Sequence, residues 1–384
     1  MKKGFLITLA AMTLFACNDA KKAEKGSIFY TDYDTPYQTP PFDRITEDDF
    51  RPAFAYGMEQ HAKEIDSLAN NPEAPTFDNT IVALDNSGKI LERVSAVFFG
   101  LEGADKTDAI EQIAIEVSPK LSEHNDNIYL NQKLFERIKT IYDQTENLNL
   151  TTEQKQLLNK YYKRFVRGGI LLNDSEKQRL REINKELSSL TLQYGNNVLK
   201  ETNNYQLVIE DEKDLSGLPE AIIAAAAETA KANGMEGKWV FTLHKPSWIP
   251  FLQYADNRAL REKLYKAMYM RGDNDNAYDN KEIVDKIVNL RIEKAKLMGY
   301  DTYADFVLEE TMAKTPEAVY DLLNTIWNYA LPQAKKEAAE LQAIIDREGG
   351  NFKLQSWDWW YYAEKLRKEK YALNETEIKP YFKM

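Results

Sequence analysis

The stretch TPEAVYDLLNTIWNYALPQAKKEAAELQAIIDREGG, from Thr315 to Gly350, constrains the fold more than any other. Val319, Leu322, Leu323, Ile326, Ala330, Ala334, Leu341 and Ile345 fall on one face of a 3.6-residue period, so the segment reads as a long amphipathic helix. Thr315 is placed to cap it, Pro316 suits the first helical position, and Pro332 predicts a kink. The same grammar recurs upstream. Thr46 with Asp49, and Asn173 with Glu176, have capping spacing; Leu180, Ile183, Leu187, Leu190 and Tyr194 then repeat every three or four residues. KEIVDKIVNLRIEKAKLMG ends on Gly299, a residue suited to leaving a helix. Strand signals are sparse: Tyr205 to Asp211 and Lys238 to Leu243 flank an Ala-rich helical segment and predict a small antiparallel pair. The fold class is mainly α.

At 384 residues the chain is long enough for two or more domain-sized units. Its 43% hydrophobic and 29% charged content is that of a globular body. Fifty Lys and Arg against 61 Asp and Glu give a formal charge of -11, which argues against a nucleic-acid partner, since binding phosphate backbones relies on clustered cations. There is no internal repeat or sustained heptad.

The first residues, MKKGFLITLAAMTLFAC, combine two lysines with an apolar run too short to span a bilayer, as in an export signal. Leu14, Phe15, Ala16 and Cys17 resemble a bacterial lipobox, which implies cleavage before Cys17 and lipid attachment to its sulfur. Cys17 is also the sole cysteine of the sequence. The expected organisation is a signal over 1–16, a lipid-anchored linker over 17–41 and a helical region over 42–204, followed by a further region over 205–384. The expected location is the bacterial cell envelope, periplasmic or outer-membrane associated.

Chemistry-bearing motifs are scarce. Histidine occurs at His61, His124 and His244, and no two have the one-turn spacing of a His-Glu-x-x-His zinc helix. Asp273 to Val284 resembles a calcium loop until Tyr278 falls on its glycine position and Val284 on its bidentate glutamate, so it reads as a turn leading to a helix cap. Phosphate-cradling glycine motifs and a nucleophile elbow are missing from the sequence. Glu309 and Glu310 read as a solvated face. No catalytic, cofactor-binding or metal-ligating residue is assigned.

A resemblance adds to this. The segment from Leu243 to Val319, with Tyr254, Arg258, Arg261, Asn280, Leu290, Arg291, Ala295, Gly299, Tyr300, Met312 and Ala313, resembles the thimet oligopeptidase and peptidyl-dipeptidase family of zinc metallopeptidases. Pro41 to Val94 looks like the bacterial dipeptidyl carboxypeptidase branch. SWDWWYYAEKLRKEKYALNETEIKPYF, with Trp357, Asp358, Tyr361, Tyr362, Tyr371, Tyr381 and Phe382, is similar to the family too, so the likeness runs nearly from Pro41 to Phe382. It implies a multi-helix N-terminal lobe and zinc-dependent hydrolysis of short peptides with release of C-terminal dipeptides. It also implies that 205–384 opens the catalytic region and that the zinc ligands lie beyond Met384. The chain is thus expected to be truncated before the zinc-binding helix, to bind no zinc and to be inactive alone. The aromatics from Trp357 onward are expected to be packing residues. The alternative is a non-catalytic helical peptide-binding or scaffold lipoprotein. Short peptides, and a membrane through the lipid, are the expected partners.

Overall fold

The computed structural model describes residues 24–372 and 381–382. Cys17 and the segment that reads as a signal therefore lie outside the described residues, as do residues 373–380, 383 and 384. Two compact units are present, Met1–Ile113 and Ala114–Met384, and the division read at 204/205 falls inside the second.

In the first unit, α1 (Glu47–Ala69) starts where the sequence says it should. The Thr46 backbone N–H donates to Asp49 Oδ2 at 2.9 Å, and Glu47, Asp48 and Asp49 set negative charge against the positive end of the helix. A π-helical turn (Phe77–Val82) runs into the one-turn α2 (Ala83–Asp85), and α3 (Lys89–Ala104) packs on α1. Gly57 allows that approach, because a Cβ there would stand 3.0 Å from the Leu91 backbone. Phe50, Phe54 and Phe98 form the centre, with the Phe98 ring 5.1 and 5.2 Å from the other two in edge contacts.

Phe29 lies in the stretch read as a lipid-anchored linker over 17–41. It is fully buried, 5.6 Å from the Phe50 ring, and its carbonyl accepts from Arg93 Nη1 at 2.8 Å. One phenyl ring in a polar, Pro-containing segment carries no periodicity, so nothing local marks it as core.

The division between the units falls within α4 (Asp108–Tyr129). The second unit continues with α5 (Gln132–Tyr142), α6 (Thr152–Arg167) and α7 (Asp174–Asn204). Asn173 and Glu176 cap α7 reciprocally, each backbone N–H donating to the other's side chain at 3.0 Å. β1 (Leu207–Ile209) and β2 (Trp239–Phe241) pair antiparallel with Leu207 opposite Phe241, and α8 (Glu220–Ala232) packs against β2. Next in the chain are α9 (Lys245–Tyr254), α10 (Arg258–Tyr269), α11 (Lys281–Leu297), α12 (Tyr303–Leu308), α13 (Pro316–Arg347) and α14 (Trp359–Tyr371). Ile183 and Leu190 of α7 meet Ile283, Ile287 and Leu290 of α11, with Leu187 partly buried beside them, so this part of the stripe is a buried seam while Tyr194 at its end is exposed. The chain is mainly α with one small antiparallel pair. None of the described helices is long and apolar enough to cross a membrane.

α13 runs as one helix with Pro332 inside it, the position at which the sequence predicts a kink. Its last turns bury Leu341 and Ile345 with Tyr361 and Tyr362 of α14. Its first turns leave Leu322, Leu323, Ile326 and Trp327 52 to 62% exposed.

Candidate functional site

His61 and His124 are packed within their units, while His244 is exposed. In the first unit His61 Nε2 lies 3.2 Å from Ser87 Oγ, and burial pushes its pKa down despite the nearby Glu64 carboxylate. In the second unit His124 is buried on α4, while His244 precedes α9 with Nδ1 on Thr242 Oγ1 and Nε2 on Asn203 Oδ1, both at 3.1 Å. Among the described residues no three of His, Cys, Asp or Glu come together as metal ligands. A catalytic zinc ion takes about three such side chains together, and the described residues do not bring them together.

Glu309 and Glu310, adjacent in sequence, go to separate partners. Arg167 and the Tyr300 hydroxyl bind Glu309, and Lys163 binds Glu310 at 2.7 Å. The loop that resembles a calcium site holds its own cation: Asp273, Asp275 and Asp279 all meet Lys281 Nζ at 2.8 Å. The hydrogen bond from Lys281, with a second from its backbone N–H, holds Asp279 down at about 2. Asp279 also supplies the cap of α11, accepting from that N–H at 2.9 Å.

A further polar group carries no mark in the sequence. Asn184 joins Asp126 and Lys294: its Nδ2 donates to Asp126 Oδ1 at 2.8 Å, and its Oδ1 accepts from Lys294 Nζ at 2.6 Å. Burial raises the pKa of Asp126 and lowers that of Lys294, so both are pushed toward their neutral forms.

A cavity beside a buried polar hub, also unmarked in the sequence, lies where α7 ends beside α10. Glu201 is buried in the last turn of α7. It accepts from the Gly272 backbone N–H and from the side-chain amides of Asn274 and Asn276, tying down the 272–276 loop. Gly272 has φ +80°, and a Cβ there would stand 2.9 Å from Asn280 Nδ2, so the loop requires glycine at this point. Asn280 is itself fixed, accepting from Asn197 Nδ2 at 2.9 Å and donating to the Tyr194 carbonyl at 3.2 Å. Beside this hub is a cavity of about 290 Å³ lined by Glu201, Tyr205, Leu243, Ala267, Arg271 and Tyr278 among others.

The aromatic stretch surrounds a different charge cluster. Asp358 is fully buried. It accepts from Arg258 Nε at 3.0 Å and Nη2 at 2.9 Å, and from Arg261 Nη2 at 3.0 Å. Arg261 lies over the Tyr361 ring at 4.1 Å and donates to the Ala255 carbonyl at 2.7 Å. The Tyr361 hydroxyl reaches Asp256 at 2.7 Å, and Trp360 packs edge-on against Trp248. Arg258, Arg261 and Asp358, which carry part of the family likeness, thus meet in one ion cluster under packed aromatics.

Residues 251–384 match Peptidase family M3. The chain is 38% identical to the dipeptidyl carboxypeptidase of Escherichia coli over 349 residues, or 91% of this chain and 51% of that protein. Over residues 251–384 the chain is similar to peptidase family M3. The dipeptidyl carboxypeptidase of Salmonella typhimurium is 37% identical over 90% of the chain and 51% of its own length; oligopeptidase A of Haemophilus influenzae is 33% identical over 89% and 51%. The chain spans about half the length of these M3 relatives.

Proposed function

We propose that this chain is the N-terminal part of a zinc-dependent M3 peptidase that acts on short peptides and releases C-terminal dipeptides. In this reading it is exported and anchored through a lipid on Cys17, its metal ligands belong to the length that the relatives have in addition, and it is inactive alone. The observation that carries the reading is the likeness over nine-tenths of the chain to proteins named for dipeptide release. Identity is 38 and 37% to these, against 33 and 32% to oligopeptidases A. The contribution of these residues is positioning and the exclusion of large substrates, both of which lower a barrier only once a nucleophile is supplied. The short apolar run ahead of Cys17 supports the anchor.

A chimera tests the activity. Residues 24–384 replacing the matching half of Escherichia coli dipeptidyl carboxypeptidase are expected to give a protein that removes C-terminal dipeptides from blocked tetrapeptides and stops on chelation, while the chain by itself shows no turnover. A folded chimera that cuts only internal bonds, or chelator-sensitive turnover by the chain alone, would sink the reading. For the anchor, Cys17→Ala is expected to release the protein from membranes; equal incorporation of labelled fatty acid by parent and variant would rule it out.

A further inference from the structure

We propose that the cavity at the junction of α7 and α10 binds a small monocarboxylate about the size of an amino acid. This does not rest on the peptidase reading, since the site is built wholly from residues of the second unit.

The wall has donors without acceptors. Arg271 donates Nε to the Met268 carbonyl and Nη1 to Thr202 Oγ1, at 2.8 and 2.7 Å, and Nη2 has no protein acceptor among the described residues. Among the described residues this half-buried guanidinium meets only neutral acceptors, so an anionic ligand would be the first charge to pair with it. Tyr278 Oη accepts from Asn204 Nδ2 at 3.3 Å, which leaves its own proton free to donate. Tyr205 lines the cavity with its ring, while its hydroxyl is buried away from the opening against the core. The one carboxylate present, Glu201, is engaged by three N–H donors. Apart from Glu201 and Arg271 the wall is made of neutral side chains, and an anionic acceptor matches Arg271 best.

Size and charge narrow the class. About 290 Å³ is at the small end for a ligand pocket, and Leu243 and Ala267 provide an apolar side for a short aliphatic group. Glu201 brings a negative charge to the same small space, which penalises a dianion such as phosphate more than a monocarboxylate.

Calorimetric titration of the 384-residue chain with N-acetyl-L-alanine, its methyl amide and inorganic phosphate tests this. N-acetyl-L-alanine is expected to bind one to one, at least about tenfold more tightly than the methyl amide, because the amide lacks the charge that Arg271 pairs with. Arg271→Gln should weaken it by about 10- to 100-fold and Arg271→Lys by less, since lysine keeps the charge but not the fork. Tyr278→Phe removes a hydroxyl whose one protein contact is Asn204, so it keeps the fold, checked by circular dichroism, and should weaken binding by about three- to tenfold. If Arg271→Gln does not fold, Tyr278→Phe and the methyl amide decide. Equal binding of acid and amide, tighter binding of phosphate, parent-like affinity in the folded variants, or no heat up to ~10 mM ligand would overturn the proposal.

Discussion

Asp358→Ala is expected to destabilise the second unit by about 3–5 kcal/mol, the range for removing one partner of a buried ion pair. Arg261 sits 1% exposed beneath the aromatic layer and would keep its charge with carbonyl contacts alone, while Arg258, about a third exposed, can turn toward water. The loss should therefore be read mainly as the cost of stranding Arg261. Arg258→Ala should cost less, because its pairing is partly screened by solvent. The joint change Asp358→Leu with Arg261→Met should recover much of the loss, since it removes both buried charges and fills their volume with apolar atoms. Urea unfolding followed by tryptophan emission is an apt measurement, as Trp357 and Trp360 lie in the same layer. A loss below about 1 kcal/mol for Asp358→Ala would show that the cluster behaves as a surface pair.

Glu201→Ala is expected to release the 272–276 loop and lower stability by about 1–3 kcal/mol. The variant leaves the buried Gly272 N–H without its acceptor and frees the amides of Asn274 and Asn276, and each buried unsatisfied group costs about 1–3 kcal/mol. The two asparagines are exposed and can turn to water, so Gly272 dominates the sum. Glu201→Gln keeps one carbonyl acceptor and should fall between parent and alanine variant. Amide hydrogen exchange at Gly272 gives the local reading, and proteolysis within 270–281 gives a second. Unchanged protection of Gly272 in a folded Glu201→Ala protein would mean that the backbone alone holds the loop, through Asn280 N–H to the Gly272 carbonyl at 2.7 Å.

What the sequence by itself determined is what depends on neighbours three or four residues away. The starts of α1, α7 and α13 lie where their caps were read, and the α7 stripe through Ile183 and Leu190 is a buried seam. The β pair flanks its Ala-rich helix as the alternating segments suggested. Capping bonds span three residues and helical faces repeat every 3.6, so a linear reading contains the needed information. The likeness to family M3 was legible in the same way, from short spaced residues.

Only the tertiary structure decided what those residues do. Asp358 meets its arginines across 97 and 100 positions, and Glu201 meets Gly272 across 71, separations at which no local pattern survives. Arg271 looks like any cation in an acidic chain until its contacts show that Nη2 has no protein acceptor among the described residues. α13 makes the same point within one helix. Its apolar face is continuous in sequence, yet Leu341 and Ile345 are covered by α14 while Leu322 and Ile326 are exposed. Periodicity fixes which side of a helix is apolar; what covers that side depends on where the rest of the chain goes.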